Sequence, residues 1–243
     1  MRRLLFAILI ACCLAAVRPA PASAAELDLA LVLAVDCSSS VNADEFALMM
    51  EGYAAAFRDE KVRAAIRTGP HHRIAVSLVQ FSNTGWQRVA VDWQVLSDAE
   101  SAEAFAKLLE TTSRLVYGGA TSLSGGIDYA GRLLARAALS AERRTIDVSG
   151  DGKNNQGRAV AAARDAAIAA GITVNGLAIR NEEPDIEAYY ADQVIGGDHA
   201  FVLTAHGYAD FAAAIARKLL KEIEVPVASV DPPPQGSSAA SFE

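Results

Sequence analysis

The sequence predicts a doubly wound α/β fold: a mostly parallel six-stranded sheet with helices on both faces. Two observations predict it. Strand-like runs alternate with helix-like runs from one end of the chain to the other, the pattern of βα units. The first strand, Leu27 to Val35 (LDLALVLAV), is apolar on both of its alternating sets, which suits a central parallel strand covered on both sides.

The remaining elements follow in order. Asn42 or Asp44 caps a helix running to about Arg67, with Phe46, Met49, Met50, Tyr53 and Phe57 spaced for one buried face. Arg73 to Phe81 (RIAVSLVQF) is the second strand. Trp86 to Val95 alternates, as a shorter edge strand would, and Asn83-Thr84-Gly85 supplies the hairpin turn into it. Ser97 to Leu109 is a helix with an N-terminal cap and early acids. A loop through Tyr117-Gly118-Gly119-Ala120-Thr121 leads to a helix from about Ser122 to Ala138. The second half alternates more regularly, with strands at 144–149, 172–179 and 199–203 and helices at 158–170, 184–194 and 208–223. No internal repeat is present, and one domain, about 26–224, is expected. Residues 225–243 are too rich in Pro, Ser and Gly to fold, so they form a disordered tail.

Both the start of the chain and its charge constrain function. Arg2-Arg3, the apolar run Leu4 to Ala16, and Ala22-Ser23-Ala24 make residues 1–24 a secretory signal peptide. Arg18, Pro19 and Pro21 end the apolar run well short of the roughly 20 residues that span a bilayer. No direct membrane span remains after signal removal. Leu9-Ile10-Ala11-Cys12 also resembles a lipoprotein box, but cleavage at Cys12 leaves an unusually short signal. The mature protein is therefore expected to be exported, to the periplasm or the extracellular space. Its net charge falls from −7 to −10, because the signal carries three arginines and no acids. With no Lys/Arg run, nucleic acid is not an expected partner. Only Cys37 survives processing, so no intrachain disulfide forms. Flanked by Asp36 and serines, Cys37 reads as a small core residue and not as a nucleophile.

Ligands of open α/β sheets bind beyond the carboxyl ends of the strands. At that end the first strand runs into Asp36-Cys37-Ser38-Ser39-Ser40, the fourth into Ser149-Gly150-Asp151-Gly152, and Thr121 lies just before a helix. Two carboxylates and three hydroxyls converge there, an all-oxygen donor set suited to a hard cation. Each has a plainer reading: Ser38 and Ser40 as helix caps, Thr121 as the cap of the helix at Ser122, Asp151 as a turn residue. Asp147 lies inside a strand whose alternation points it away from this end. His71, His72, His199 and His206 show no ligand spacing for zinc.

These three segments resemble the motifs of the von Willebrand factor type A (VWA) domain. Asp36-Cys37-Ser38-Ser39-Ser40 is similar to its D-x-S-x-S motif, Gly118-Gly119-Ala120-Thr121 to its threonine loop, and Ser149-Gly150-Asp151-Gly152 to its aspartate-glycine motif. The resemblance, closest to an uncharacterised exported bacterial branch, covers about 26–224. It implies a metal-ion-dependent adhesion site (MIDAS) with Asp36, Ser38, Ser40, Thr121 and Asp151 as direct or water-mediated ligands. Mg²⁺ is the expected cation, with Mn²⁺ or Ca²⁺ as alternatives. It further implies strand order 3-2-1-4-5-6 with the third strand antiparallel at the edge.

The expected function is a binding module that captures an Asp or Glu carboxylate of a partner protein through the ion. Lys153-Asn154-Asn155-Gln156 is expected to supply polar contacts around it, with Tyr117 nearby. The sequence has no G-x-G-x-x-G after the first strand, no P-loop and no G-x-S-x-G elbow. A metal-dependent hydrolase using the same residues is the alternative, but the three loops carry no His or Glu to act as general base.

Overall fold

The computed structural model describes residues 26–181 and 183–224. The expected signal peptide and C-terminal tail lie outside them. β1 (Glu26–Asp36) is flanked by β2 (Ile74–Phe81) and β4 (Ser140–Gly150), both parallel to it. β3 (Gln87–Leu96) pairs antiparallel with β2 at one edge. β5 (Thr173–Ile179) and β6 (Val202–Ala205) extend the other edge in parallel. The order is β3-β2-β1-β4-β5-β6, as the resemblance implied.

The two alternating sets of β1 feed two separate cores. Leu29, Leu31, Leu33 and Val35 pack with α1 (Ala43–Arg58), α2 (Glu60–Ala65), α3 (Ala99–Glu110) and α7 (Phe211–Ile223). Ala30, Val32 and Ala34 pack on the other face, with α4 (Leu123–Arg136), α5 (Val160–Ala169) and α6 (Ile186–Tyr189). Full burial of both sets is why this strand reads as one continuous apolar run.

Several elements depart from the expected boundaries. The helix expected to reach Arg67 breaks at Asp59, whose backbone is extended (φ −60, ψ 130). Its carboxylate accepts the Lys61 and Val62 amides, capping a new helix in place of continuing the old one. β4 starts at Ser140, four residues before Arg144, because Glu26 to Leu29 continue the ladder with Ser140 to Arg143. Those residues alternate in exposure rather than forming a solid apolar run. The helix expected at 184–194 is the four-residue α6 followed by a wide π-helical turn, Tyr190–Val194. β6 lies at 202–205 and not 199–203, after a turn in which His199 takes a positive φ.

Candidate functional site

Asp36 is the last residue of β1 and is fully buried. Its Oδ1 accepts the Ser38 amide at 2.8 Å, a local turn that reverses the chain away from the sheet. Cys37 keeps one more ladder bond, to the Phe81 carbonyl. Its side chain is buried in the first core, and burial raises the thiol pKa, so it stays protonated. The loop is held from outside by Arg114, whose guanidinium donates to the carbonyls of Cys37 (2.7 Å), Ser38 (3.1 Å) and Val41 (2.8 Å).

The threonine loop and the aspartate loop meet this turn from either side. Thr121 donates its hydroxyl to Ser38 Oγ at 3.0 Å, and Ser38 Oγ lies 3.2 Å from Ser40 Oγ. Ser40 Oγ in turn donates to Asp151 Oδ1 at 2.6 Å. All five sequence-selected residues thus come together, with Asp36, Ser38, Thr121 and Asp151 buried and Ser40 half-buried. Ser122, not Thr121, is the N-cap of α4, its hydroxyl accepting the Gly125 amide. That leaves the Thr121 side chain facing the serines.

Electrostatics make this arrangement costly for the protein alone. Burial raises the Asp36 pKa to about 7; the Ser38 amide bond opposes the rise and the nearby Asp151 charge adds to it. Asp36 Oδ2 and Asp151 Oδ2 are both buried and find no hydrogen-bond partner among the described residues. Two buried carboxylates, each with an oxygen that nothing satisfies, beside three hydroxyls, are a donor set that fits a hard divalent cation. Among the described residues no three His, Cys, Asp or Glu side chains gather as a metal cluster; the hydroxyls complete this donor set. The site opens into a depression of about 220 Å³ lined by Ser40, Thr121, Asp151, Lys153, Asn155 and Glu183.

The 153–156 loop lines the depression through Lys153 and Asn155 and also braces its neighbours through side-chain bonds. Asn155 Oδ1 accepts the Thr121 amide, Asn154 Oδ1 the Ser124 amide, and Gln156 Oε1 the Thr84 amide. Lys153 is paired with Asp185 (2.8 Å) and Glu183 (3.2 Å). Outside the three motif loops, Glu183 lines the depression from the segment after β5. Tyr117 is exposed, its ring beneath the Arg114 guanidinium at 5.5 Å.

Sequence reasoning missed Arg114, Asn83, Tyr190 and Tyr208. Asn83 Oδ1 accepts the Ala120 amide and so joins the β2–β3 turn to the threonine loop. Asn83 reads from sequence only as part of a hairpin turn, the other three carry no motif, and the roles of all four depend on long-range contacts. Asp147 faces α7, where it forms a buried cluster with Lys218 (2.5 Å) and, through Lys218, Glu222 (2.7 Å).

The family described as "Protein of unknown function (DUF1194)" matches residues 26–227. No curated protein shows significant similarity to the chain. Among solved structures, proximal thread matrix protein 1 of the mussel byssus superposes with a TM-score of 0.60 at 15% identity, over 81% of this chain and 47% of its own. The pilus adhesin SpaC of Lactobacillus rhamnosus GG gives 0.59 at 16%, over 81% and 30%. A von Willebrand factor type A protein of Catenulispora acidiphila gives 0.54 at 22%, over 81% and 43%. The chain spans less than half the length of each of these structures. The mussel protein has also been solved with zinc in its MIDAS motif. With its strand order, this likeness makes the described domain a VWA-like fold.

Proposed function

We propose that this chain, which belongs to the DUF1194 family, is an exported interaction module that captures a partner protein at a divalent-cation site. One observation carries the reading: two buried carboxylates with unsatisfied oxygens and three hydroxyls share the carboxyl end of the sheet. Asp36, Ser38, Ser40, Thr121 and Asp151 would hold the ion, Mg²⁺ first. When bound, it supplies a coordination position for an Asp or Glu carboxylate of the partner. The chain's own residues do the rest. Arg114 fixes the 37–41 turn, Asn155 fixes Thr121, and the hydroxyls contribute oxygens without adding negative charge.

The mussel matrix protein and the pilus adhesin support an adhesive role outside the cytoplasm. We place the mature start near Ala25 or Glu26, the domain at 26–224, and residues 225–243 outside the folded unit. A hydrolase remains the second reading because Glu183 lines the depression. Its carboxylate is tied up in an ion pair with Lys153 at 3.2 Å.

The test is retention of envelope proteins on immobilised domain in Mg²⁺. A specific partner should elute with chelator and fail to bind Asp151→Ala. Equal binding to metal-free protein overturns capture through the ion. Turnover of phosphoester or ester substrates that Asp151→Ala abolishes would favour the hydrolase.

A further inference from the structure

Four buried oxygens of the candidate ion site and its two neighbouring tyrosines have no hydrogen-bond partners among the described residues: Asp36 Oδ2, Asp151 Oδ2, and the hydroxyls of Tyr190 and Tyr208. Two of the four belong to groups that only accept when ionised. The other two are phenols, which can donate. Such a complementary set is not what random burial leaves, because buried polar groups are ordinarily satisfied.

The backbone makes room for Tyr190 in particular. Its ring is fully buried and passes beneath β5 and the end of β4, where both strands carry glycine. A Cβ on Gly176 would lie 2.7 Å from Tyr190 Cδ1. A Cβ on Gly150 would lie 2.9 Å from the Tyr190 hydroxyl and 2.9 Å from Asp36 Oδ2. Phenol and carboxylate therefore flank the same small space. Tyr190 also opens the π-helical turn, closed by the Ile195 amide bonding the Tyr190 carbonyl at 3.0 Å. Such widened turns often occur at functional sites. Tyr208 arrives from the other face of the sheet, on the 3₁₀ turn Tyr208–Asp210 ahead of α7. Its hydroxyl lies within reach of the Asp151 and Asp36 charges. The Tyr190 hydroxyl lies within reach of the same two charges.

We propose that Tyr190 and Tyr208 are positioning residues for the ion site, poised to donate phenolic hydrogen bonds to the Asp36 and Asp151 carboxylates and to hold them, once the ion is bound, in the orientation a divalent cation requires. This rests on the ion-binding reading above. A donor to an ionised carboxylate stabilises its charged form, and metal ligation demands that form. Phenylalanine would fill the same apolar space at either position. The hydroxyl is what the carboxylates use.

The test is Mg²⁺ binding by calorimetry to the full chain and to Tyr190→Phe and Tyr208→Phe. Loss of an outer-shell partner weakens metal binding by about 10- to 100-fold, and each variant should lose at least the lower figure while keeping its metal-free circular dichroism. Tyr129→Phe, on α4 beside Arg132, should bind as the wild type does. Mg²⁺ should also perturb the tyrosine near-UV absorbance of the wild type, and each Phe variant should lose part of that signal. Unchanged affinity in both variants overturns the proposal, and so does a wild-type tyrosine spectrum that Mg²⁺ leaves unaltered. The spectrum decides the matter even if a variant fails to fold. Absence of any Mg²⁺ binding by the wild type instead refutes the ion site itself.

Discussion

Replacing Asp36 by Asn should stabilise the metal-free protein by an amount that grows as pH rises above about 4 and is complete above about pH 7. The Asp36 carboxyl titrates near 7 in the folded protein against 3.8 when free. Between those values folding takes up a proton, so stability falls as pH rises and the full penalty applies above about pH 7. A difference of about three pKa units is worth about 4 kcal/mol. Asparagine keeps the Oδ1 acceptor for the Ser38 amide and removes the charge. In chelator, the melting temperature of Asp36→Asn should match wild type near pH 4 and exceed it at pH 8. At about 2–4 °C per kcal/mol for a domain of this size, the excess is about 8–16 °C. Differential scanning calorimetry across this pH range reads it directly. A difference that does not vary with pH, or a variant less stable than wild type at pH 8, would refute the assignment of burial as the cause.

Other outcomes follow from the same geometry. Mg²⁺ at roughly 100 times its dissociation constant should stabilise the wild type by about 2.7 kcal/mol, a melting shift of about 5–10 °C. Asp36→Ala should abolish that shift, Thr121→Ala should reduce it, and Cys37→Ser should retain it, since the thiol lies in the core. Lys218→Met strands the buried carboxylates of Asp147 and Glu222. It should cost about 3–5 kcal/mol at pH 8 by denaturant titration. The loss should shrink toward pH 5, because Asp147, raised to about 7 by burial and Glu222, then carries a proton.

Much of the sheet was legible because burial on two faces leaves a direct imprint on sequence. Leu29 to Val35 could not be anything but apolar with helices on both sides. The site's five oxygen ligand candidates were legible too, since each sits in a short motif at a strand end or helix start. Boundaries were lost where an interaction distant in sequence decides them. Ser140 to Arg143 belong to β4 only because Glu26 to Leu29 pair with them. Arg114 has no periodic or motif signal, and its role exists only once the 37–41 turn is beside it. Tyr190 is likewise invisible without knowing that Gly150 and Gly176 line its path.

The side-chain ties between loops have a consequence for how the site opens. Thr121 is bonded by Asn155, Ala120 by Asn83, Thr84 by Gln156, and Cys37 by Arg114, so four segments far apart in sequence share their backbone partners. No one loop can detach without breaking a hydrogen bond to a neighbour's backbone. The segments should therefore open as a single cooperative unit. In hydrogen exchange, the amides of Thr84, Ala120, Thr121 and Asn155 should report one common opening free energy, although they lie on three different connections.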